Sequence, residues 1–110
     1  EVAGLSEGAY RVLTYTSPLK ALEELYQYHS HVDLVISDYL MPQMDGITFL
    51  RTLRSKELPV SSIPVLVTST EAGPHDIAAA RGAGANYYLV KPIKQETLAE
   101  YAAIFCGRPR

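Results

Sequence analysis

Short apolar, β-branched runs alternate with amphipathic stretches along this chain, and that alternation leaves few folds open to it. Residues 10–15 alternate in the manner of a strand, and Ser17-Pro18 then offers an N-cap and a first-turn proline. Leu19, Leu22 and Leu25 follow at helical spacing. Asp33-Leu34-Val35-Ile36-Ser37-Asp38 reads as the next strand, and Asp45 is placed to cap a helix carrying Ile47, Leu50 and Leu53 on one face. After a connector from Pro59 to Pro64, the run Val65 to Thr68 has the apolar character of a parallel-sheet interior. An Ala-rich helix through Ile77 and Arg81 should stop near Gly82-Ala83-Gly84. Tyr87 to Val90 is the last strand, Lys91-Pro92 breaks it, and Leu98, Tyr101, Ala102 and Phe105 stripe a final helix. The order β-α-β-α-β-α-β-α predicts a doubly wound α/β fold, with a parallel sheet, helices on both faces and right-handed crossovers. At 110 residues, without linkers, repeats or low-complexity tracts, the chain is expected to be one domain.

Charge narrows the partners. Ten basic against twelve acidic residues, spread without blocks, leave no electrostatic footprint for direct nucleic-acid binding or for an acidic membrane surface. The single Cys106 cannot form an internal disulfide, and no stretch reads as a signal peptide or a membrane span, so a cytoplasmic setting is expected. Cys106 itself reads as a small apolar residue of the last helix. His29, His31 and His75 lack metal-ligand spacing and read as helix-end residues. Gly82-Ala83-Gly84 has the look of a dinucleotide fingerprint but lies between a helix and a strand in the wrong order, so it reads as a helix stop.

The residue that calls for explanation is Asp38, a carboxylate at the end of an apolar strand. In open α/β sheets functional groups collect at the carboxyl ends of strands. The loop that follows contains Met41-Pro42 and then Asp45-Gly46. This segment resembles the phosphoacceptor segment of receiver domains of bacterial two-component response regulators, and the resemblance extends over the whole chain. It implies a flavodoxin-like (CheY-like) sheet of order 2-1-3-4-5 built from five β-α units, whereas four are present here. The unit without a counterpart is the first strand, its loop and most of the first helix. On this alignment residues 1–7 are the tail of that helix and Gly8-Ala9-Tyr10 the turn into the second strand. An empty slot in a buried ladder would leave backbone groups unpaired at about 1–3 kcal/mol each. The expectation is therefore an N-terminally incomplete receiver, or a homodimer in which a strand-exchanged copy fills the slot.

The resemblance also assigns roles. Asp38 is the phosphoacceptor, Asp45 a helix cap and Asp33 a strand-entry residue. Lys91 pairs with the carboxylate and then with phosphate, and its bond to Pro92 is expected to be cis. Pro42, Gly46 and Pro92 shape the loops. A hydroxyl ending the strand before Lys91 should bind a phosphoryl oxygen. Counting from Pro64 or Lys91 selects Ser69 and counting from Asp38 selects Thr68, and Ser69 is preferred because the Asp38 count crosses a connector tolerant of insertions. The other residue should point to the opposite face of the strand. Tyr88 matches the aromatic switch, with a plain core or rim tyrosine as the alternative. The Mg²⁺ site of the family retains only Asp38 and the carbonyl of Leu40, so weak Mg²⁺ binding is expected. Together these imply a phosphorylation-dependent signalling switch rather than an enzyme. Its partner would be a histidine kinase or phosphotransfer protein, and its output face, including Ile93 and Tyr101, would be built from the last two helices and last strand. The alternative is a degenerate receiver used for docking or dimerisation. A phosphohydrolase of the haloacid dehalogenase type fits less well, since Leu40 stands where its second acid would be.

Overall fold

A parallel sheet of three strands, ordered β1-β2-β3, organises the computed structural model, which describes residues 13, 15–28, 32–39 and 45–106. The strands are β1 (Val35–Asp38), β2 (Val65–Ser69) and β3 (Tyr87–Val90). Helices α1 (Pro18–Tyr28), α2 (Gly46–Arg54), α3 (Pro74–Ala83) and α4 (Gln95–Cys106) alternate with them, and a short 3-10 turn occupies Val60–Ser62. The expected turn at 8–10 and most of the expected strand at 10–15 lie outside the described residues, as do His29, His31, Leu40 and Pro42. The observed β1-β2-β3 order matches the last three strands of the order anticipated above.

Local chemistry accounts for the helix boundaries. Ser17 accepts from Lys20 N through its hydroxyl and from Ala21 N through its carbonyl, so α1 begins where Ser17-Pro18 placed it. Asp45 accepts from Thr48 N at 2.7 Å and caps α2. α3 starts earlier than its Ala-rich centre suggested, because Pro74 takes the first helical position after Gly73. It ends on Gly84, whose φ of 112° is a left-handed cap.

Strand alternation separates two faces. Val65 and Val67 of β2 join Leu22, Leu25, Phe49, Leu50 and Leu53 in the core under α1 and α2. Tyr88, the register partner of Val67, packs against that same cluster. Leu66 points the other way beside its partner Tyr87, whose ring meets Tyr101 and Phe105 of α4 at 4.7 and 5.7 Å. The sheet is therefore covered on both faces, which is why β2 is buried along its whole length.

One tie was not foreseen. Arg54, at the end of α2, donates to the carbonyls of Ser61, Ile63 and Gly84 and to the Asn86 side chain. Asn86 Oδ1 in turn accepts from Val65 N at 2.8 Å. One guanidinium thus binds α2, the connector into β2 and the turn into β3, using the fan of donors that only arginine has.

Candidate functional site

Backbone hydrogen bonds hold the carboxyl ends of the strands side by side. Tyr39 N donates to Thr68 O at 2.9 Å and Lys91 N to Ser69 O at 2.7 Å, which extends the ladder beyond Asp38 and Val90. Above these ends lies a small cleft of about 120 Å³ lined by Asp38, Thr68, Ser69, Thr70 and Lys91. Residues from three segments far apart in the chain meet there, as the α/β topology requires.

Asp38 is at the centre of the cleft, its side chain half exposed at 52%. Lys91 Nζ lies 3.0 Å from Oδ1, and Thr68 Oγ1 donates to the same oxygen at 2.5 Å. Burial pushes the Asp38 carboxyl up, but the Thr68 hydrogen bond and then the bond and charge of Lys91 outweigh it, so its pKa lies below the usual carboxylate value. At neutral pH the group is an anion with one oxygen held by two donors. The Lys91-Pro92 bond is cis, as is Leu58-Pro59, which the sequence did not single out.

The hydroxyl bonded to the Asp38 carboxylate is that of Thr68, a different contact from the phosphoryl oxygen for which spacing preferred Ser69. Register is the reason. Asp38 pairs directly with Thr68, so their side chains leave the sheet on one face. Ser69 faces the other way, as alternation demands, yet still borders the cleft because the cleft lies over the strand ends. Its Oγ accepts from Glu71 N at 3.0 Å.

Gly46 has a steric reason to be glycine. A Cβ there would come within 2.7 Å of Asp38 O and 2.9 Å of Tyr39 O, so its absence lets α2 start directly against the backbone of Asp38 and Tyr39. Gly46 N donates to Tyr39 O at 2.8 Å in that approach.

Tyr88 is half buried, and its hydroxyl donates to Glu71 O at 2.8 Å, tying β3 to the loop after β2. Its ring meets Tyr39 edge-on at 6.0 Å. Tyr39, which no motif marked, donates to Asp76 Oδ1 at 3.2 Å and so links the residue after Asp38 to the first turn of α3. Burial first, then the bond to Asp76, pushes the Tyr39 phenol up. Only its position next to Asp38 could have drawn attention to it. Tyr101, expected on an output face, has its ring against Tyr87. Cys106 is partly buried, and burial raises its thiol, in keeping with a packing residue. His75 is exposed and lies 3.5 Å from Asp76, away from the cleft residues.

A sequence profile of the response regulator receiver domain matches residues 3–103. The chain belongs to the receiver domain family. The receiver is 33% identical over 93 residues to the two-component response regulator ORR1 of Oryza sativa, covering 81% of this chain and 40% of that protein. It is 34% identical over 90 residues to ORR3 of the same species, covering 82% of this chain and 67% of that protein. The receiver thus spans about two fifths of the length of ORR1. Among solved structures, Vibrio cholerae chemotaxis protein CheY4 superposes with a TM-score of 0.77 at 29% identity, over 90% of this chain and 80% of that one. Plant and bacterial proteins are both similar to the receiver, so the resemblance is not confined to bacterial regulators. The family acts in two-component signalling, where receivers interact with histidine kinases or phosphotransfer proteins.

Receiver domains generally bind Mg²⁺. Among the described residues the cleft contains one carboxylate, and no three His, Cys, Asp or Glu side chains lie together as a metal would need. Mg²⁺ requires near-octahedral oxygen coordination, which Asp38 and the neutral hydroxyls of Thr68, Ser69 and Thr70 do not provide. No helix among the described residues is long and apolar enough to cross a membrane.

Proposed function

We propose that this receiver is a phosphorylation-dependent signalling switch in which Asp38 accepts a phosphoryl group. The observation that carries the reading is Asp38 at a strand end, ionised at neutral pH and within 3.0 Å of the Lys91 ammonium. A carboxylate oxygen of Asp38 forms a bond to phosphorus as the bond from phosphorus to the donor breaks. The donor, an imidazole nitrogen of a kinase or phosphotransfer protein, leaves with that bond's electron pair. Lys91 sits where it can follow the charge from carboxylate to phosphate. The domain turns over no substrate of its own in this reading, and its product is its own modified form.

Phosphorylation changes the charge in a cleft bordered by β2 and β3, and these strands lead to Tyr88, Glu71 and α3. A shift of this kind biases two arrangements of the last strand and the last two helices. A homodimer, strand-exchanged or otherwise, would sediment at twice the 12.1 kDa of the chain.

The test is incubation with acetyl phosphate, or with a beryllofluoride mimic, followed by intact mass and tyrosine fluorescence. A mass increase of one phosphoryl group in the wild type, absent in Asp38→Asn, is expected. An unmodified wild type with an unchanged spectrum favours a docking module that keeps the fold without the chemistry.

A further inference from the structure

We infer that Thr68 is a positioning residue for phosphoryl transfer: it holds Oδ1 of Asp38 together with Lys91, so that Oδ2 is the oxygen presented to the donor. The inference rests on the phosphoacceptor reading of Asp38 and assigns its hydroxyls separate tasks. Both contacts to the carboxylate fall on Oδ1, the Thr68 hydroxyl at 2.5 Å and the Lys91 ammonium at 3.0 Å. Among the described residues no donor is bonded to Oδ2. A carboxylate whose one oxygen is doubly held cannot rotate freely about its terminal torsion, and its other oxygen is fixed in direction.

Thr68 is well built for this. It is 5% exposed and lies in strand β2, and its register partner is Asp38 itself. Direct partners on one face bring their Cβ atoms to roughly 5 Å, close enough for a short hydroxyl to reach a short carboxylate. A β-branched residue on a strand has few χ1 choices, so the hydroxyl is aimed without a large entropy loss. The preceding residues Val65, Leu66 and Val67 are all apolar, so fold alone would be served equally by valine at position 68.

The same geometry gives the bond a role in the switch. While Asp38 is an anion, the Thr68 bond is charge-assisted. Once Oδ2 is joined to phosphorus, Oδ1 is a neutral acyl oxygen, and the bond falls to ordinary strength as Lys91 turns to the phosphate charge. Ser69 borders the cleft from the opposite face of β2 and makes no bond to Asp38, which leaves its hydroxyl for a phosphoryl oxygen.

The test compares Thr68→Val, Thr68→Ser and Ser69→Ala in the full chain, each shown to be folded by circular dichroism. Two quantities are read: the Asp38 carboxyl titration by ¹³C NMR, and the rate of phosphorylation by acetyl phosphate. Thr68→Val should titrate at higher pH than the wild type and be phosphorylated about tenfold more slowly at neutral pH. Thr68→Ser should restore both, and Ser69→Ala should leave the titration where it was. A Thr68→Val protein matching the wild type in titration and rate overturns the inference, as does a titration that moves equally in Ser69→Ala. If the wild type itself is not phosphorylated while Thr68→Val still shifts the titration, the phosphoacceptor reading fails and the hydrogen bond stands.

Discussion

Arg54 shows how much one side chain can hold when its acceptors are carbonyls rather than carboxylates. Its guanidinium satisfies the backbone oxygens of Ser61, Ile63 and Gly84, and each bond has a charged donor. Replacing it with alanine leaves partly buried carbonyls without that donor, and a loss of about 2–4 kcal/mol is expected in urea unfolding. Lysine should recover little, because one ammonium cannot reach acceptors spread across the fork. Recovery to wild-type stability in Arg54→Lys would show that charge and not donor geometry matters there. No sequence motif singled out Arg54. Nothing local distinguishes it, since its partners arrive from 7 to 32 residues downstream. Asp38 was legible for the opposite reason, that its meaning lies in its immediate neighbours.

The helices and strands of the described region were legible from periodicity, apolar runs and composition, apart from the early start of α3, whereas the way they touch was not. The start of α2 against β1 depends on the missing side chain of Gly46. Gly46→Ala should cost about 1–3 kcal/mol, since the added methyl meets backbone that cannot turn aside, and it should also displace Asp38. Thermal unfolding measures the first effect, and loss of acetyl phosphate reactivity the second. Tyr39 and Asp76 join β1 to α3 in a similarly hidden way. A double-mutant cycle of Tyr39→Phe with Asp76→Ala should give a coupling of roughly 0.5–1.5 kcal/mol, and additive effects would mean the bond contributes nothing. The choice between Thr68 and Ser69 is of this kind too. Of the spacing counts only the one from Asp38 crosses the connector before β2, and none of them reports which hydroxyl shares a face with Asp38, whereas strand register does.

Across the molecule, ionisation links the site to stability. Asp38 and Asp45 both titrate below the usual carboxylate value, Asp38 because its hydrogen bonds and Lys91 outweigh burial, Asp45 because of its bonds to Thr48. Their folded pKa values lie below the unfolded value of about 3.9, so the stability they contribute is fully present above it and is lost as pH falls through the folded values. Both side chains are well exposed, and screening keeps each contribution modest. Unfolding free energy measured from pH 6 to pH 2 should therefore fall less steeply in Asp38→Asn than in the wild type. An equal slope would mean that the Asp38 pair contributes no stability.

The order of strands and helices, the helix caps at Ser17, Asp45 and Gly84, and the special place of Asp38 could all be read from the chain alone. Each depends on residues within a turn or two of one another, and short-range chemistry is written in short-range order. That Thr68 rather than Ser69 holds Asp38, that Arg54 ties three segments together, and that Tyr39 reaches α3 emerged only once the chain was folded. Those facts rest on strand register and on close approach between distant segments, and packing of the whole core sets both to within a fraction of an ångström.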